Sequence, residues 1–326
     1  MTRLVADIGG TSIRLGWQHR AGAALTGVSS LACADFPSAA AAIDHFIQQQ
    51  PGVCDSLILA VAAPIAGSLV DITNNPWRFD AGDLAQQLGA KQYLLINDFT
   101  AQALANASLL DPAYQLNPAY HACIRAGRPD YRAPLLVTGP GTGLGVAAVV
   151  PGPGGPVVVE GEGGHVSYAP RNAAETNVLA ALTSRLGHVS AERIVSGPGL
   201  ETVFQIQTGI TKPAAKISAA ALDGDKAALA AVRLMLDSFA TVAANAALGF
   251  GAGAGIVIAG GIVPKLGRLF AESGFIQRLG DHGRRRTFLD QLPLYISLDP
   301  FAGLRGAAAA PDNPHMASRM VMMGDG

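Results

Sequence analysis

The sequence has few charged residues, few cysteines and few aromatic residues, and each shortage excludes a class of protein. Only 14% of its 326 residues are charged and the net charge is -1, so we expect no attraction to nucleic acid or to acidic membranes. The three cysteines, Cys33, Cys54 and Cys123, lie far apart without a CxxC pair or histidines at ligand spacing. This pattern argues against a zinc site or a disulfide framework.

Two common nucleotide-binding signatures are also missing. No GxxxxGK[ST] motif occurs, and strand patterns follow the glycine-rich stretches where a dinucleotide fingerprint requires a helix. The start of the chain, MTRLVADIGG, has an apolar run too short for a signal peptide, which predicts a mature cytoplasmic start.

One uncharged run, residues 239–263, is long enough to span a membrane. Its six glycines make it only mildly apolar. The spacing of its apolar residues changes midway from one typical of a helix to one typical of a strand. We therefore predict a buried helix, a glycine bend and a core strand.

Short apolar strand patterns alternate with helical patterns along the chain, which indicates an α/β protein with a large core. Residues 111–133 contain three prolines and few periodic apolar positions, so we expect a boundary or an inserted loop there. Residues 311–326 lack periodicity, and we expect a disordered tail.

Two stretches share one plan, and this internal similarity suggests a duplicated domain. LVADIGGTSIRLGW (4–17) and LLVTGPGTGLGVAAVV (135–150) each contain an apolar strand, a glycine turn with a threonine and a second apolar strand. Glycine turns expose backbone N–H groups that a phosphate chain can approach closely, and Thr11 and Thr142 add hydroxyl donors. Taken alone, either turn would usually be an ordinary hairpin.

Asp7 favours the phosphate-binding interpretation of the first turn. A carboxylate at the end of a strand, directly before such a turn, is placed to hold Mg²⁺ directly or through water. A third turn, IVIAGGIVPKL (256–266), again ends a core strand in paired glycines and could admit a flat adenine ring. Three turns of this kind together favour a nucleotide site, and its candidate residues are Ala6, Asp7, Ile8, Gly9, Gly10, Thr11, Gly141, Thr142, Gly143, Gly260 and Gly261.

Six motifs resemble those of bacterial glucokinases of the hexokinase/actin/Hsp70 superfamily, in the same order and with similar spacing. They are ADIGGTSIRLG, INDFTA, GPGTGLGVA, GEGGHVSYAP, GHVSAERIVSGPGL and IAGGIVP, and the resemblance extends from about residue 4 to residue 308. The zinc-binding cysteine cluster of related sugar kinases is absent, so the chain resembles the non-zinc glucokinases.

The resemblance implies an α/β fold of two RNase H-like (actin/hexokinase-type) domains around an interdomain cleft. The smaller domain would combine residues 1–109 and 299–310, and the larger would be residues 110–298. The implied activity is ATP-dependent phosphorylation of glucose on its 6-hydroxyl, with ATP and Mg²⁺. A cytoplasmic homodimer is also implied, without nucleic acid or membrane partners.

The apolar run LLINDFTAQALA (94–105) is interrupted by Asn97 and Asp98. Either residue could cap the helix that follows. A sugar hydroxyl needs a proton acceptor as it attacks phosphorus, so we assign Asp98 as the general base. By family likeness, Asn97 would hold a neighbouring sugar hydroxyl, and capping does not exclude catalysis.

The same likeness assigns sugar contacts to Glu162, His165, Glu192 and Asn74. A lone loop histidine is usually just solvated, but Glu162 and His165 stand three residues apart among glycines that would let a ligand approach. We expect Ser190 to cap a helix with Glu192 in its first turn, where a favourable helix dipole would explain the carboxylate without a ligand.

Two other functions remain open on sequence alone. A sugar-responsive regulator would usually carry a DNA-binding or basic extension, which this chain does not show. An actin-like phosphohydrolase would use water in place of the sugar and would not need Glu162, His165 and Glu192.

Overall fold

The computed structural model describes residues 1–72 and 75–324 as an alternation of strands and helices. The strands are β1 (Arg3–Ile8), β2 (Ser12–Gln18), β3 (Thr26–Ala32), β4 (Ser56–Val61), β5 (Leu69–Asp71), β6 (Arg78–Asp80), β7 (Gln92–Asn97), β8 (His121–Arg125), β9 (Leu135–Pro140), β10 (Leu144–Val150), β11 (Val157–Val159), β12 (Gly255–Ile258), β13 (Leu294–Ser297) and β14 (Val321–Met322). The helices are α1 (Ala39–Gln49), α2 (Ala81–Gln87), α3 (Asp98–Asn106), α4 (Ala173–Leu186), α5 (Gly197–Thr208), α6 (Ala214–Leu222), α7 (Lys226–Phe250), α8 (Ile262–Leu266), α9 (Arg268–Ala271), α10 (Phe275–Gly280), α11 (Arg286–Gln291), α12 (Ala302–Ala309) and α13 (Pro314–Ala317).

The chain divides into two compact units, each made of separate segments. The first unit combines Met1–Ser108, Pro151–Val159 and Asp299–Gly326, and the second combines Leu109–Val150 and Glu160–Leu298. Residues 151–159 therefore group with the first unit, whereas we had expected them in the larger domain.

The first unit contains a sheet in the order β14-β7-β4-β1-β2-β3. The strands β1, β4 and β7 run parallel, and β2 and β3 extend the sheet antiparallel. Side chains alternate between the two faces of a strand, so Leu4, Ala6 and Ile8 pack with α1 in one apolar cluster. Asp7 points to the opposite face, where α12 packs against β1 and α3.

The tail of the chain is ordered in the first unit, so the expectation of a disordered segment after residue 310 was wrong for its described part. An Arg3 guanidinium nitrogen lies 2.7 Å from an Asp312 carboxylate oxygen, and the Asn313 side-chain amide donates to the Pro156 carbonyl at 2.8 Å. Further along, β14 pairs antiparallel with β7. These contacts explain how a segment without apolar periodicity keeps a defined position.

The second unit contains strands in the order β10-β9-β12-β13-β8. The strands β9, β12 and β13 run parallel, while β10 and β8 are antiparallel to their neighbours. In both units, the first strand of a glycine hairpin lies between its hairpin partner and a parallel strand, as the internal similarity predicts. Residues 111–133, which we expected to form a boundary or loop, include β8 at the edge of this sheet.

Helix α7 is the core helix of the second unit. Of the residues that the structure describes, only this helix is long and apolar enough to cross a membrane, and 72% of its most apolar window is buried inside the protein. Gly251 ends it in a left-handed conformation, with φ of 63°, and β12 follows as a fully buried strand. The predicted buried helix, glycine bend and core strand are therefore confirmed.

Candidate active site

The first glycine turn, residues 9–12, connects β1 and β2, and two hydrogen bonds from other parts of the chain hold its carbonyl groups in place. The Gly10 carbonyl accepts from the Asn75 side-chain amide at 3.3 Å, and the Thr11 carbonyl accepts from the Cys33 N–H at 3.0 Å. Because two of its carbonyl oxygens are bound within the protein, the peptides of this turn have a fixed orientation.

Asp7 lies at the end of β1 and is nearly buried, with 5% of its surface exposed. Arg14, on β2, donates a hydrogen bond to its Oδ2 atom at 3.2 Å. Burial raises the pKa of Asp7, and the nearby Arg14 guanidinium opposes that rise. A Cβ atom at Gly303 of α12 would lie 2.6 Å from the same Oδ2, so only glycine leaves room for the carboxylate there.

The donor set around Asp7 suits Mg²⁺ better than a metal held by protein alone. Within residues 1–72 and 75–324, no group of three or more His, Cys, Asp or Glu side chains is arranged to hold a metal ion. Mg²⁺ commonly binds one or two carboxylates and completes its shell with phosphate oxygens and water. A single buried carboxylate beside a glycine turn fits that pattern.

The residue that caps α3 is Asn97, while Asp98 is the first residue of the helix. The Asn97 Oδ1 atom accepts from the Phe99 N–H at 2.8 Å, and its Nδ2 atom donates to the Ala63 carbonyl at 3.2 Å. Asp98 Oδ1 accepts from the same Phe99 N–H at 2.9 Å. An amide has two donor and two acceptor positions, so Asn97 keeps capacity for a further partner.

Asp98 and the first glycine turn lie at the same end of the parallel strands of this sheet, the carboxyl end. The parallel register places Ile8, Val61 and Asn97 opposite one another at the ends of β1, β4 and β7. In open α/β sheets, ligands bind beyond the carboxyl ends of the parallel strands. The proposed proton acceptor and the proposed phosphate turn thus lie at the carboxyl ends of the strands, where such sites form.

Helix α3, which begins at Asp98, is crossed at very short range by α12. A Cβ atom added at Gly306 would lie only 1.7 Å from the Ala101 carbonyl oxygen. The two backbones approach this closely because Gly306 has no side chain, so α12 fixes the position of the helix that carries Asp98.

In the second unit, the second and third glycine turns lie side by side at the ends of β9 and β12. A Cβ atom at Gly139 would lie 1.8 Å from the Ala259 carbonyl oxygen. Gly260 has a φ of 81°, and a Cβ atom there would lie 2.5 Å from the Pro140 carbonyl oxygen. These backbone contacts place the candidate adenine turn against the candidate phosphate turn.

Glu162 and His165 lie in a loop that packs on β10, the strand leaving the second turn. The Glu162 Oε2 and His165 Nε2 atoms are 3.8 Å apart, and both side chains are more than half exposed. A Cβ atom at Gly164 would lie 2.0 Å from the Leu144 carbonyl oxygen. The glycines therefore let the loop pack tightly against β10, while the two polar side chains remain accessible.

Glu192 contacts the second turn and lies, as we expected, in the first turn of a helix with Ser190 at the N-cap position. The helix is a short 3₁₀ helix, Ala191–Arg193, and the Ser190 side chain does not make the expected capping hydrogen bond. The Glu192 Oε2 atom accepts from the Leu144 N–H at 2.8 Å. The carboxylate thus has a specific partner, and a helix dipole is not needed to explain its position.

Sequence reasoning missed the residues that hold these groups in place. Arg14 lies in the first motif but was given no role. Its position opposite Asp7 in the β1–β2 hairpin could have suggested the ion pair between the two residues. No sequence signal marked Gly303, because it lies at the other end of the chain from Asp7. Asn74, assigned to the sugar, lies outside the described residues.

A cavity of about 360 Å³ lies next to the Glu162–His165 loop. It is bounded by α7 and by the residues after His165, and its lining is mainly apolar; the lining includes Val146, Gly163, Tyr168, Val242, Asn245 and Phe250. Among the candidate side chains within residues 1–72 and 75–324, none lines this cavity.

Comparison with known proteins identifies the fold and the family. A crystal structure of a glucokinase from an Antarctic psychrotroph is 32% identical, covers 96% of this chain and 99% of its own, and has a TM-score of 0.77. A ROK family glucokinase from Streptomyces griseus, in complex with glucose and AMPPNP, has 18% identity, a TM-score of 0.65 and coverage of 94% and 98%. The fold is that of the actin/hexokinase-type sugar kinases, as the motifs predicted.

Sequence matches are equally extensive. The family model described as Glucokinase matches residues 4–314. A glucokinase from Paramagnetospirillum magneticum is 36% identical over 323 residues, which cover 95% of this chain and 98% of the relative. The chain therefore belongs to the glucokinase family.

Proposed function

We propose that this protein transfers the terminal phosphoryl group of ATP to the 6-hydroxyl of glucose, with Asp98 as the general base. The observation that carries the proposal is the family match over residues 4–314, which includes all three glycine turns and Asp98. The position of Asp98 at the start of α3, at the carboxyl edge of a parallel sheet, supports its role.

In this mechanism, the glucose O6 atom forms a bond to the terminal phosphorus as the bond from that phosphorus to the bridging oxygen of ADP breaks. The Asp98 carboxylate accepts the O6 proton during the attack, which is worth about 10² to 10⁴ in rate. Asn97 fixes the start of α3 through its bond to the Phe99 N–H and so aims the carboxylate.

The proposed glucose ligands are Asn74, Asn97, Asp98, Glu162, His165 and Glu192. Several convergent polar groups are needed to recognise a sugar, since each hydroxyl can both donate and accept. The accessibility of Glu162 and His165 and the fixed position of Glu192 support this assignment. The Streptomyces griseus relative is in complex with glucose, which supports glucose as the sugar.

The proposed nucleotide ligands are the first turn with its strand, Ala6 to Thr11, the second turn, Gly141 to Gly143, and the third turn, Gly260 and Gly261. Asp7 would hold Mg²⁺ directly or through water, and the ion would neutralise phosphate charge during transfer. The AMPPNP bound by the Streptomyces griseus relative supports ATP as the phosphoryl donor.

We also propose that the enzyme acts in the cytoplasm as a glycolytic homodimer, without nucleic acid or membrane partners. This part rests on family likeness and on the balanced net charge of -1. Sedimentation analysis at micromolar concentration tests the dimer, and a monomeric mass would contradict it.

The test of the general base is Asp98→Asn, which keeps the shape of the side chain and removes its basicity. We expect kcat to fall by about 10² to 10⁴ while the Kd for glucose changes by less than about threefold. Turnover is followed as ADP release in a coupled assay, and glucose binding is measured by calorimetry.

Asp83→Asn is the matched control, because Asp83 is an exposed aspartate in the first turn of α2. It should leave kcat unchanged. Near-normal turnover in Asp98→Asn would remove the role given to that residue. ADP release that does not depend on glucose would instead support the phosphohydrolase alternative, and a panel of hexoses in the same assay defines sugar preference.

A further inference from the structure

Glu192 is hydrogen-bonded to the second glycine turn, although its proposed ligand is the sugar. Its Oε2 atom accepts from the Leu144 N–H at 2.8 Å, and Leu144 is the first residue after the turn. A carboxylate offers about four acceptor positions, so this bond leaves positions free for a sugar hydroxyl. One side chain can therefore contact the sugar and the nucleotide turn together.

Gly143 is required by this contact for a steric reason. A Cβ atom there would lie 2.5 Å from Glu192 Oε2 and 3.3 Å from its Cδ. Gly143 is not among the glycines with positive φ, so its backbone would accept another residue. A side chain at this position would therefore displace the Glu192 carboxylate and would not strain the backbone of the turn.

Gly141, two residues earlier in the same turn, is a natural comparison. A Cβ atom at Gly141 would have no atom within 4 Å, and Gly141 also lacks a positive φ. Substitutions at the two positions therefore change the same turn but differ in their effect on Glu192.

A second attachment makes the turn and the Glu192 segment move together. The Gly197 N–H donates to the Gly141 carbonyl at 2.9 Å, and the Ser196 hydroxyl donates to the Glu192 carbonyl at 2.8 Å. Ser196 also caps α5 through the Gly199 N–H. The segment from Glu192 to Gly197 is thus tied to the turn at both ends.

We infer that Glu192 couples glucose binding to nucleotide binding through the second glycine turn, and that Gly143 is the positioning residue that makes the coupling possible. The inference rests on the proposed function, because it takes Glu192 as a sugar ligand. Sugar bound to Glu192 fixes the carboxylate, and the carboxylate fixes the Leu144 amide beside the phosphate site. By linkage, nucleotide binding must strengthen glucose binding by the same factor.

The first test measures glucose affinity by calorimetry with no nucleotide present. Gly143→Ala should displace Glu192 from its position and so weaken its hydrogen bond to the sugar. The Kd for glucose should then rise by about 10-fold or more, the factor expected when one hydrogen bond to a charged group is lost. Gly141→Ala should leave that Kd within about twofold of wild type. Circular dichroism and thermal melting establish that both variants are folded.

If Gly143 serves only to let phosphate approach the backbone, the two variants should show changes in binding that differ from these. In that case both variants would weaken nucleotide binding and neither would change the Kd for glucose, which would overturn the inference. If Gly143→Ala does not fold, a second measurement on Glu192→Ala tests the inference.

The second measurement compares the Kd for AMPPNP with and without saturating glucose. We expect glucose to tighten AMPPNP binding about fivefold or more in the wild type, at the lower end of common coupling factors, and by less than about twofold in Glu192→Ala, which has no acceptor for the Leu144 N–H. Equal coupling in the two proteins would refute the inference while leaving glucokinase activity intact. A wild-type protein that neither binds nor phosphorylates glucose would instead refute the proposed function.

Discussion

Gly306→Ala tests whether the contact between α12 and α3 fixes Asp98. The new Cβ atom would lie 1.7 Å from the Ala101 carbonyl oxygen, about 1.7 Å short of the 3.4 Å at which ordinary contact begins. The obstacle is backbone, which cannot rotate away as a side chain can. The two helices must therefore separate by an amount comparable to this shortfall.

Overpacking of this kind costs about 1 to 3 kcal/mol of unfolding free energy. For units of this size, each kcal/mol lowers the melting temperature by about 2 to 4 °C. The effect on catalysis should be larger, because a misplacement of about 1 Å can cost about 10²-fold in rate. We expect kcat to fall by about 10 to 100-fold at a temperature where the variant is fully folded.

Gly249→Ala is the matched control. Gly249 is an exposed glycine inside α7, and a Cβ atom there would have no atom within 4 Å. Alanine should stabilise that helix by no more than about 0.5 kcal/mol, because Gly249 lies in its last turn, and should leave kcat unchanged. A Gly306→Ala enzyme with wild-type melting and turnover would refute the reasoning, and reduced stability with normal kcat would show that the crossing supports the fold but does not aim Asp98.

Two further predictions concern stability. Arg278→Met removes the charged partner of the buried Glu175 carboxylate, whose oxygens lie 2.9 and 3.0 Å from the arginine. It should cost about 3 kcal/mol in urea unfolding, the low end for a broken buried pair, because the Arg171 N–H and the Asn172 amide still donate to the carboxylate. Hydrogen bonds from Arg3 and from the Gly22 N–H hold the pKa of Asp312 below its ordinary value. The stabilisation is therefore present above the unfolded-state pKa of about 4 and is lost as the pH falls through the lower folded-state pKa. Asp312→Asn should cost about 1 kcal/mol at pH 7 and progressively less below pH 4, and an equal deficit at both pH values would contradict this account.

The parts of the fold that could be predicted are those whose pattern is local. The apolar patterns predict strands at residues 3–8 and 144–150, and β1 and β10 have these bounds because glycine turns interrupt the apolar runs there. β8 was missed because it is an edge strand whose exposed Ile124 breaks the expected alternation. α12 was missed because it consists largely of alanines and glycines, which allow close approach to another backbone but leave little apolar periodicity.

The candidate site shows the same division. The types of its residues and their positions at strand ends could be predicted from the sequence, because those signals are adjacent in the chain. The bond between Glu192 and the Leu144 amide could not be predicted, since it joins positions 48 residues apart and depends on the turn lacking a Cβ atom. Contacts of this kind depend on packing, which a single sequence does not display.

The first unit is built from segments near both ends of the chain, which affects how it folds during synthesis. The sheet formed by β1, β4 and β7 is translated within the first 97 residues, yet α12, which covers one face of it, comes only after residue 301. At about 5 to 20 residues per second, a ribosome needs on the order of 10 to 40 s to make the intervening chain. During that interval the nascent sheet exposes an apolar face, so we expect chaperone dependence to be concentrated in the first third of the polypeptide and to end when the last helices emerge.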